Sequence, residues 1–325
     1  MTNTTLDTLR KRAFRLSPPM IALLLALALF FVGGILKPDF ANPTQAINIV
    51  RLAAFLGIIA AGETLVILSG GEGIDLSIGA VVTLAAILTY RLTNGQNELI
   101  LPALAFVLGM GALVGFFNGL GITVLRIPPL VMTLGMTGII GGTIRAVTQG
   151  KLEGETPSIM GDLISKPLIA GIPGVVVIWL ILGVVIWLIL ERTTYGKQLF
   201  AIGTNRVTAR LSGVQVRTVA WATYILSCTL SAFGGFVLLA FTDTVFLNVG
   251  EPYQFPAVAA VVVGGTMLAG GSGSYWGTMA GALLLTLLQS LLRALNIDDA
   301  HQLIILGTTL VFLMSLYGRD RKLRQ

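Results

Sequence analysis

Four polar side chains lie inside apolar runs, where each needs a physical reason to be: Glu63, Asp75, Asn118 and Gln289. A mid-helix charge in a bilayer costs at least ~2.5 kcal/mol on insertion scales. Glu63 is therefore expected either to line a polar path or to pair with a nearby cation, Arg51 or Arg145. The amides of Asn118 and Gln289 can hydrogen-bond a hydroxyl-rich solute, or equally bind neighbouring helices. Asp75 follows a glycine break, and capping the next helix through its carboxylate is preferred to ligand contact. No bond-making chemistry gathers around these residues. Cys228 and His301 are each alone of their kind, which leaves no disulfide within one chain and no His/Cys metal cluster. The sequence offers neither a Ser/His/Asp or Cys/His set nor a paired-carboxylate constellation. A phosphate-binding loop is missing too: Glu191 and Arg145 stand where the first glycine belongs ahead of Gly196-Lys197 and Gly150-Lys151. Passage of a solute is expected, with no catalytic residue, cofactor or metal.

The elements that must position these residues are membrane helices. Hydrophobic residues make up 55% of the 325, charged residues 11%, and the mean hydropathy is +0.88. A soluble domain carries about twice that charged fraction. A spanning helix needs about 20 mainly apolar residues, and clear runs lie at 18–36, 47–69, 100–125, 127–149, 168–190 and 218–241. Shorter runs lie at 74–92, 255–269, 276–294 and 302–317. The fold class is accordingly all-α: a polytopic integral membrane protein of about ten transmembrane helices with an internal repeat. The repeat is read from Leu68-Ser-Gly-Gly-Glu-Gly73 and Leu268-Ala-Gly-Gly-Ser-Gly273, which put structural glycine elements at Gly70, Gly71 and Asp75 and at Gly270 and Gly271. Six crossings between them make the repeat parallel, and one re-entrant segment would make it inverted. Gly111, Gly115 and Gly119, with Gly138/Gly142 and Gly277/Gly281, suit close helix packing.

Charge sets the orientation. The net charge of +6 is distributed as topology requires and is no sign of nucleic acid. Arg10, Lys11, Arg12 and Arg15, the loop 191–217, the tail residues Arg319, Arg321, Lys322 and Arg324, and Arg126 fall on one side, the cytoplasm. Asp39, Glu98, Glu153, Glu155, Asp162, Asp243, Glu251, Asp298 and Asp299 fall on the other. The expected organisation is a cytoplasmic amino-terminal segment 1–17, a transmembrane domain 18–317 and a cytoplasmic tail 318–325. The loop 150–167 is outward, acidic and rich in turn formers. The loop 191–217 mixes Leu199, Ile202, Val207 and Leu211 with Asn205, Arg206 and Arg210. That pattern predicts a short amphipathic helix from about Asn205 to Leu211, closed near Gly213. Such a helix either lies on the membrane surface or fits a groove on a cytoplasmic partner.

At this loop the chain resembles the ribose-type permeases of ATP-binding-cassette (ABC) importers, in the superfamily of branched-chain-amino-acid and ribose permeases. The string Arg192-Thr-Thr-Tyr-Gly-Lys-Gln-Leu-Phe-Ala-Ile-Gly-Thr-Asn205, continued by Ala209-Arg-Leu-Ser-Gly-Val214, is similar to that family's cytoplasmic signature. Ser69-Gly-Gly-Glu-Gly-Ile-Asp-Leu-Ser-Ile-Gly79, Arg126-Ile-Pro-Pro-Leu-Val-Met-Thr-Leu-Gly135 and Ala257-Val-Ala-Ala-Val-Val-Val-Gly-Gly-Thr266 agree, and together they span roughly 45–317. The resemblance implies a permease subunit of an importer in the bacterial inner membrane, moving a sugar-like solute from a periplasmic binding protein. It implies ATP hydrolysis on a separate ABC ATPase subunit and a second permease subunit, the same or related. It also implies an ATPase-coupling loop containing Gly203, Asn205, Arg206, Arg210, Leu211 and Gly213. Three departures set the chain apart from the family pattern: the inserted Glu72-Gly73, Glu63 in place of a usual methionine, and Glu251-Pro-Tyr-Gln-Phe-Pro256 before the late helix. Two alternatives stay open, an ion-coupled carrier with Glu63 as the coupling carboxylate and an ABC permease for nucleosides or amino acids.

Overall fold

The computed structural model describes residues 17–169 and 171–318. The basic clusters at 10–15 and 319–324 lie outside the described residues. Ten helices occupy the ten expected spans: α1 (Pro18–Leu36), α2 (Pro43–Leu68), α3 (Ile78–Thr93), α4 (Ile100–Thr123), α5 (Pro129–Thr148), α7 (Gly174–Arg192), α10 (Val216–Thr242), α11 (Glu251–Val263), α12 (Tyr275–Ala294) and α13 (Asp299–Gly318). Short helices α6 (Ser158–Ser165), α8 (Thr194–Thr204) and α9 (Arg206–Leu211) lie between them. Seven of the described helices are long and apolar enough to cross a membrane, and α3 is a shorter apolar one. The chain is an all-α polytopic membrane protein.

Local chemistry sets the boundaries. Pro43 opens α2 behind Asn42, whose side chain accepts from the Gln45 N–H; Ser274 caps α12 by accepting from the Gly277 N–H. The run 168–190 was expected as helix from its start. Pro167 and Pro173 instead frame a small antiparallel pair, β1 (Pro167–Ile169) and β2 (Ile172–Pro173), so the helix begins only at Gly174. Within the expected outward loop, α6 forms because Met160 and Ile164, four residues apart, bury one face.

The core is α2 and α10, which run antiparallel: Phe55 meets Phe241 at a centroid distance of 4.8 Å, and Gly62 lies against the Ser227 backbone. A side chain at Gly62 would come within 2.7 Å of the Ser227 Cα. The stripe Gly111, Gly115 and Gly119 lays α4 on α10, over Cys228 and Ala232, over Tyr224 and Ile225, and over Trp221. Gly115→Leu is expected to wedge these helices apart, and overpacking of this kind costs about 1–3 kcal/mol. A lowered unfolding temperature in detergent checks it, and an unchanged one contradicts the packing. Gly277 and Gly281 pack on Gly264 and Ala260, but among the described residues nothing comes within 4 Å of a side chain at Gly135, Gly138, Gly141 or Gly142. Gly138 and Gly142, expected to pack closely, thus meet no neighbour among the described residues.

Two segments turn back. After α2 ends at Leu68, residues 69–77 return along it until the Asp75 N–H faces the Glu63 carboxylate. After α10 ends at Thr242, residues 243–250 return until the Gly250 N–H donates to the Thr83 hydroxyl, 3.0 Å away. The helices that follow, α3 and α11, have 16 and 13 residues. At ~1.5 Å per residue both fall short of the ~30 Å hydrocarbon core, and they start face to face and run to opposite ends. The order α2–return–α3–α4–α5 recurs upside down as α10–return–α11–α12–α13, so the repeat is inverted. The parallel count treated 74–92 and 255–269 as full crossings. The matching glycine strings are not equivalent positions of this repeat either. One follows α2, the other follows α11, and they touch: the Gly271 N–H donates to the Leu68 carbonyl at 3.0 Å.

Candidate functional site

Glu63 lies on α2, and around it stand Asp75, Ser77, Asn118, Ser227 and Cys228; all six are 0% exposed. The Asp75 N–H reaches both Glu63 oxygens, at 3.2 and 3.3 Å. The Asp75 carboxylate accepts from the Ser77 N–H (3.0 Å), the Ser77 hydroxyl (2.6 Å) and the Ser227 hydroxyl (2.9 Å). The Asn118 amide donates to the Ser77 hydroxyl at 2.9 Å. The Glu63 carboxylate thereby ties the returning segment to α2, the Asp75 carboxylate ties it to α10, and Ser77 links it on to α4. Asp75 stands two residues before the residue that caps α3, Ser77. It therefore fixes the helix start through an Asx-type bond and not as the cap itself.

Two expectations change here. Glu63 pairs with neither Arg51 nor Arg145. Arg51 donates to Asn48 at 2.9 Å and lies over the Phe241 ring, and the ion pairs among the described residues are Lys166–Asp162 and His301–Asp298. The two carboxyl groups are also neighbours, although twelve positions apart in sequence, because the chain doubles back between them. Ser77, Ser227 and Cys228 were not singled out from the sequence. Their signal was small polar residues facing one another across apolar helices. Glu63 and Asn118 are fully buried within this cluster.

Gln289 lies elsewhere. It helps line a cavity of about 370 Å³ between α2, α10, the 243–250 return, α11 and the carboxyl-terminal half of α12, together with Asn248, Tyr253, Ser290 and Arg293. Apolar walls come from Leu52, Leu56 and Phe246. Among the described residues no group of three His, Cys, Asp or Glu side chains is placed to hold a metal.

At the opposite end α9 is the predicted short amphipathic helix, and α8, not expected from the sequence, precedes it. Thr193 caps α8, and the Asn205 side chain accepts from the Val207 and Thr208 N–H groups. Gly213, at φ +86, ends α9, with the Val214 N–H donating to the Ala209 carbonyl. Leu199 and Ile202 are buried, while Val207 and Leu211, four residues apart, are 69% and 84% exposed. The Tyr195 hydroxyl meets that of Thr223 at 2.9 Å, and burial pushes the Tyr195 phenol up to about 12. The root of the element is wedged between the two glycine strings. A side chain at Gly203 would collide with the Leu68 carbonyl and the Gly271 backbone, and Arg206 donates to the Gly70 carbonyl at 3.0 Å. Gly70, Gly71, Gly270, Gly271, Gly203 and Arg206 therefore meet at one junction, whereas Arg210 and Leu211 are exposed.

Residues 45–314 match the model of the branched-chain amino acid transport system / permease component family. The chain belongs to this permease family. The permease is 33% identical to the ribose import permease protein RbsC of Bacillus subtilis over 298 residues, 90% of each chain. It is 32% identical to RbsC of Escherichia coli K12 over 308 residues, 93% of each. To the autoinducer 2 import system permease protein LsrC of Yersinia enterocolitica it is 32% identical over 310 residues, 94% of the permease and 85% of that protein. No solved structure matches the permease significantly.

Proposed function

We propose that this permease is the membrane-spanning subunit of an ABC importer in a bacterial inner membrane, with both termini cytoplasmic. It takes a sugar or sugar-like polar solute from a periplasmic binding protein, and a separate ABC ATPase subunit hydrolyses the ATP. Its relatives' names, ribose and autoinducer 2 import permeases, support the solute class. The observation that carries the reading is α9: two apolar side chains, Val207 and Leu211, stand in solvent on a capped helix rooted in the membrane domain. Apolar anchors at i and i+4 are what a helix offers to a groove on a partner. In this reading Arg210 and Leu211 touch the ATPase, and Gly203, Asn205, Arg206 and Gly213 shape and root the element.

The junction gives the movement a route. A near-complete switch between two permease conformations needs about 5.5 kcal/mol of differential interaction, supplied when the ATPase closes on nucleotide. Force on α9 passes through Gly203 and Arg206 to both glycine strings at once. One string leads through Asp75 into α3. The other joins α11 and α12, which line the cavity. The uncovered glycine face of α5 suits the second permease subunit, since small residues let helix backbones approach closely.

Co-purification with the ATPase of the same importer tests the reading. The pair Val207→Asp and Leu211→Asp is expected to reduce ATPase capture at least tenfold with the unfolding temperature unchanged. Undiminished capture by the double variant removes α9 as the contact.

A further inference from the structure

Among the described residues Arg293 is the one charged residue lining the 370 Å³ cavity, and no carboxylate lines it. Asn248, Tyr253, Thr286, Gln289 and Ser290, carried by three different elements, line the same space, in which Arg293 and Asn248 are exposed. Polar side chains within a membrane domain ordinarily bond across helices, as Thr64 does with Thr278 at 2.9 Å. Among the described residues the side chains of Asn248, Gln289, Ser290 and Arg293 make no such bond and no ion pair. A helix-end arginine is often only an interfacial anchor. An anchor leaves unexplained why amides and hydroxyls with unused bonding capacity share one space with it. The volume falls within the range of small-molecule sites.

We infer that this cavity is a subsite for a polyhydroxy acid, a sugar-like solute carrying a carboxylate or phosphate that Arg293 receives while Asn248, Gln289 and Ser290 take its hydroxyls. Guanidinium matches either anion with two parallel hydrogen bonds. Amides and hydroxyls both donate and accept, as a polyol requires. With no carboxylate in the lining, a cationic solute is disfavoured and a neutral polyol lacks the charged contact. The same chemistry would suit the glycerol-phosphate headgroup of a lipid, so the membrane composition has to be controlled. The inference rests on the import reading and sharpens its solute class.

The test measures binding of gluconate and of sorbitol to the full chain in discs of phosphatidylcholine alone. Gluconate is expected to bind at least tenfold more tightly than sorbitol, and more weakly as salt rises. Arg293→Gln is expected to abolish that difference, whereas Gln289→Leu weakens both ligands. Binding of neither ligand, equal binding of the two, or a gluconate preference that survives Arg293→Gln overturns the proposal. A second arm adds phosphatidylglycerol: if that lipid displaces gluconate and stays with the purified chain, the site holds a headgroup and the solute assignment falls. ATPase capture tests the import reading independently, so the acid preference can fail while import stands.

Discussion

Replacing Gly203 with valine is expected to cut ATP-driven uptake by about ten- to hundredfold, since overpacking a fitted contact costs about 1–3 kcal/mol. The atoms in the way are backbone, which cannot rotate aside: the Leu68 carbonyl at the end of α2, and Gly271, whose Cα would lie 2.9 Å from the new Cβ. The α8–α9 element must lift off the junction, and force from the ATPase then no longer reaches the two glycine strings together. ATPase capture should persist, because Val207 and Leu211 are untouched. Uptake and ATPase activity measured on the same preparation separate the two effects. Uptake within twofold of the unsubstituted protein would show that the wedge transmits nothing.

Asp75→Ala is the second large effect. It strands the Ser77 N–H, the Ser77 hydroxyl and the Ser227 hydroxyl in a sealed interior, and each buried donor left unpaired costs about 1–3 kcal/mol. Asp75→Asn keeps one acceptor oxygen and is expected to lose less than half as much. Cys228 is the one cysteine of the chain and has no exposure, so it serves as a built-in reporter. A maleimide should label it at least tenfold faster in Asp75→Ala than in the unsubstituted protein. Equal labelling, with an equal unfolding temperature, would mean that Asp75 does not hold the returning segment.

Much of this architecture was legible in the residues. Ten apolar runs became ten helices because burial of apolar side chains and internal hydrogen bonding leave a membrane chain little alternative. The short helix α9 was legible from Asn205 and Gly213, since a side-chain acceptor and a left-handed terminus are local needs. The returns were not legible. Apolar composition at 74–92 and 255–269 records burial, and it reads alike for a half-helix buried in protein and a full crossing through lipid. The glycine strings misled for a related reason. Gly70, Gly71, Gly270 and Gly271 all have φ between +66 and +86, so both strings answer to the same kind of tight turn at one junction, with no shared place in the repeat. The neighbouring of Glu63 and Asp75 was hidden because it depends on the chain doubling back between them. Gln289 was singled out for its depth in a run. What places it beside Arg293 is the register of α12, one turn apart, together with the 243–250 return that closes the cavity.

The central claim is that this permease moves solute only as part of an ATP-driven assembly. The direct measurement is solute uptake into proteoliposomes holding the permease, its ATPase and its binding protein, with ionophores collapsing every ion gradient. The account predicts uptake that requires ATP and binding protein, and that Val207→Asp with Leu211→Asp abolishes. Uptake by the permease alone, driven by a proton or sodium gradient and indifferent to ATP, would contradict it.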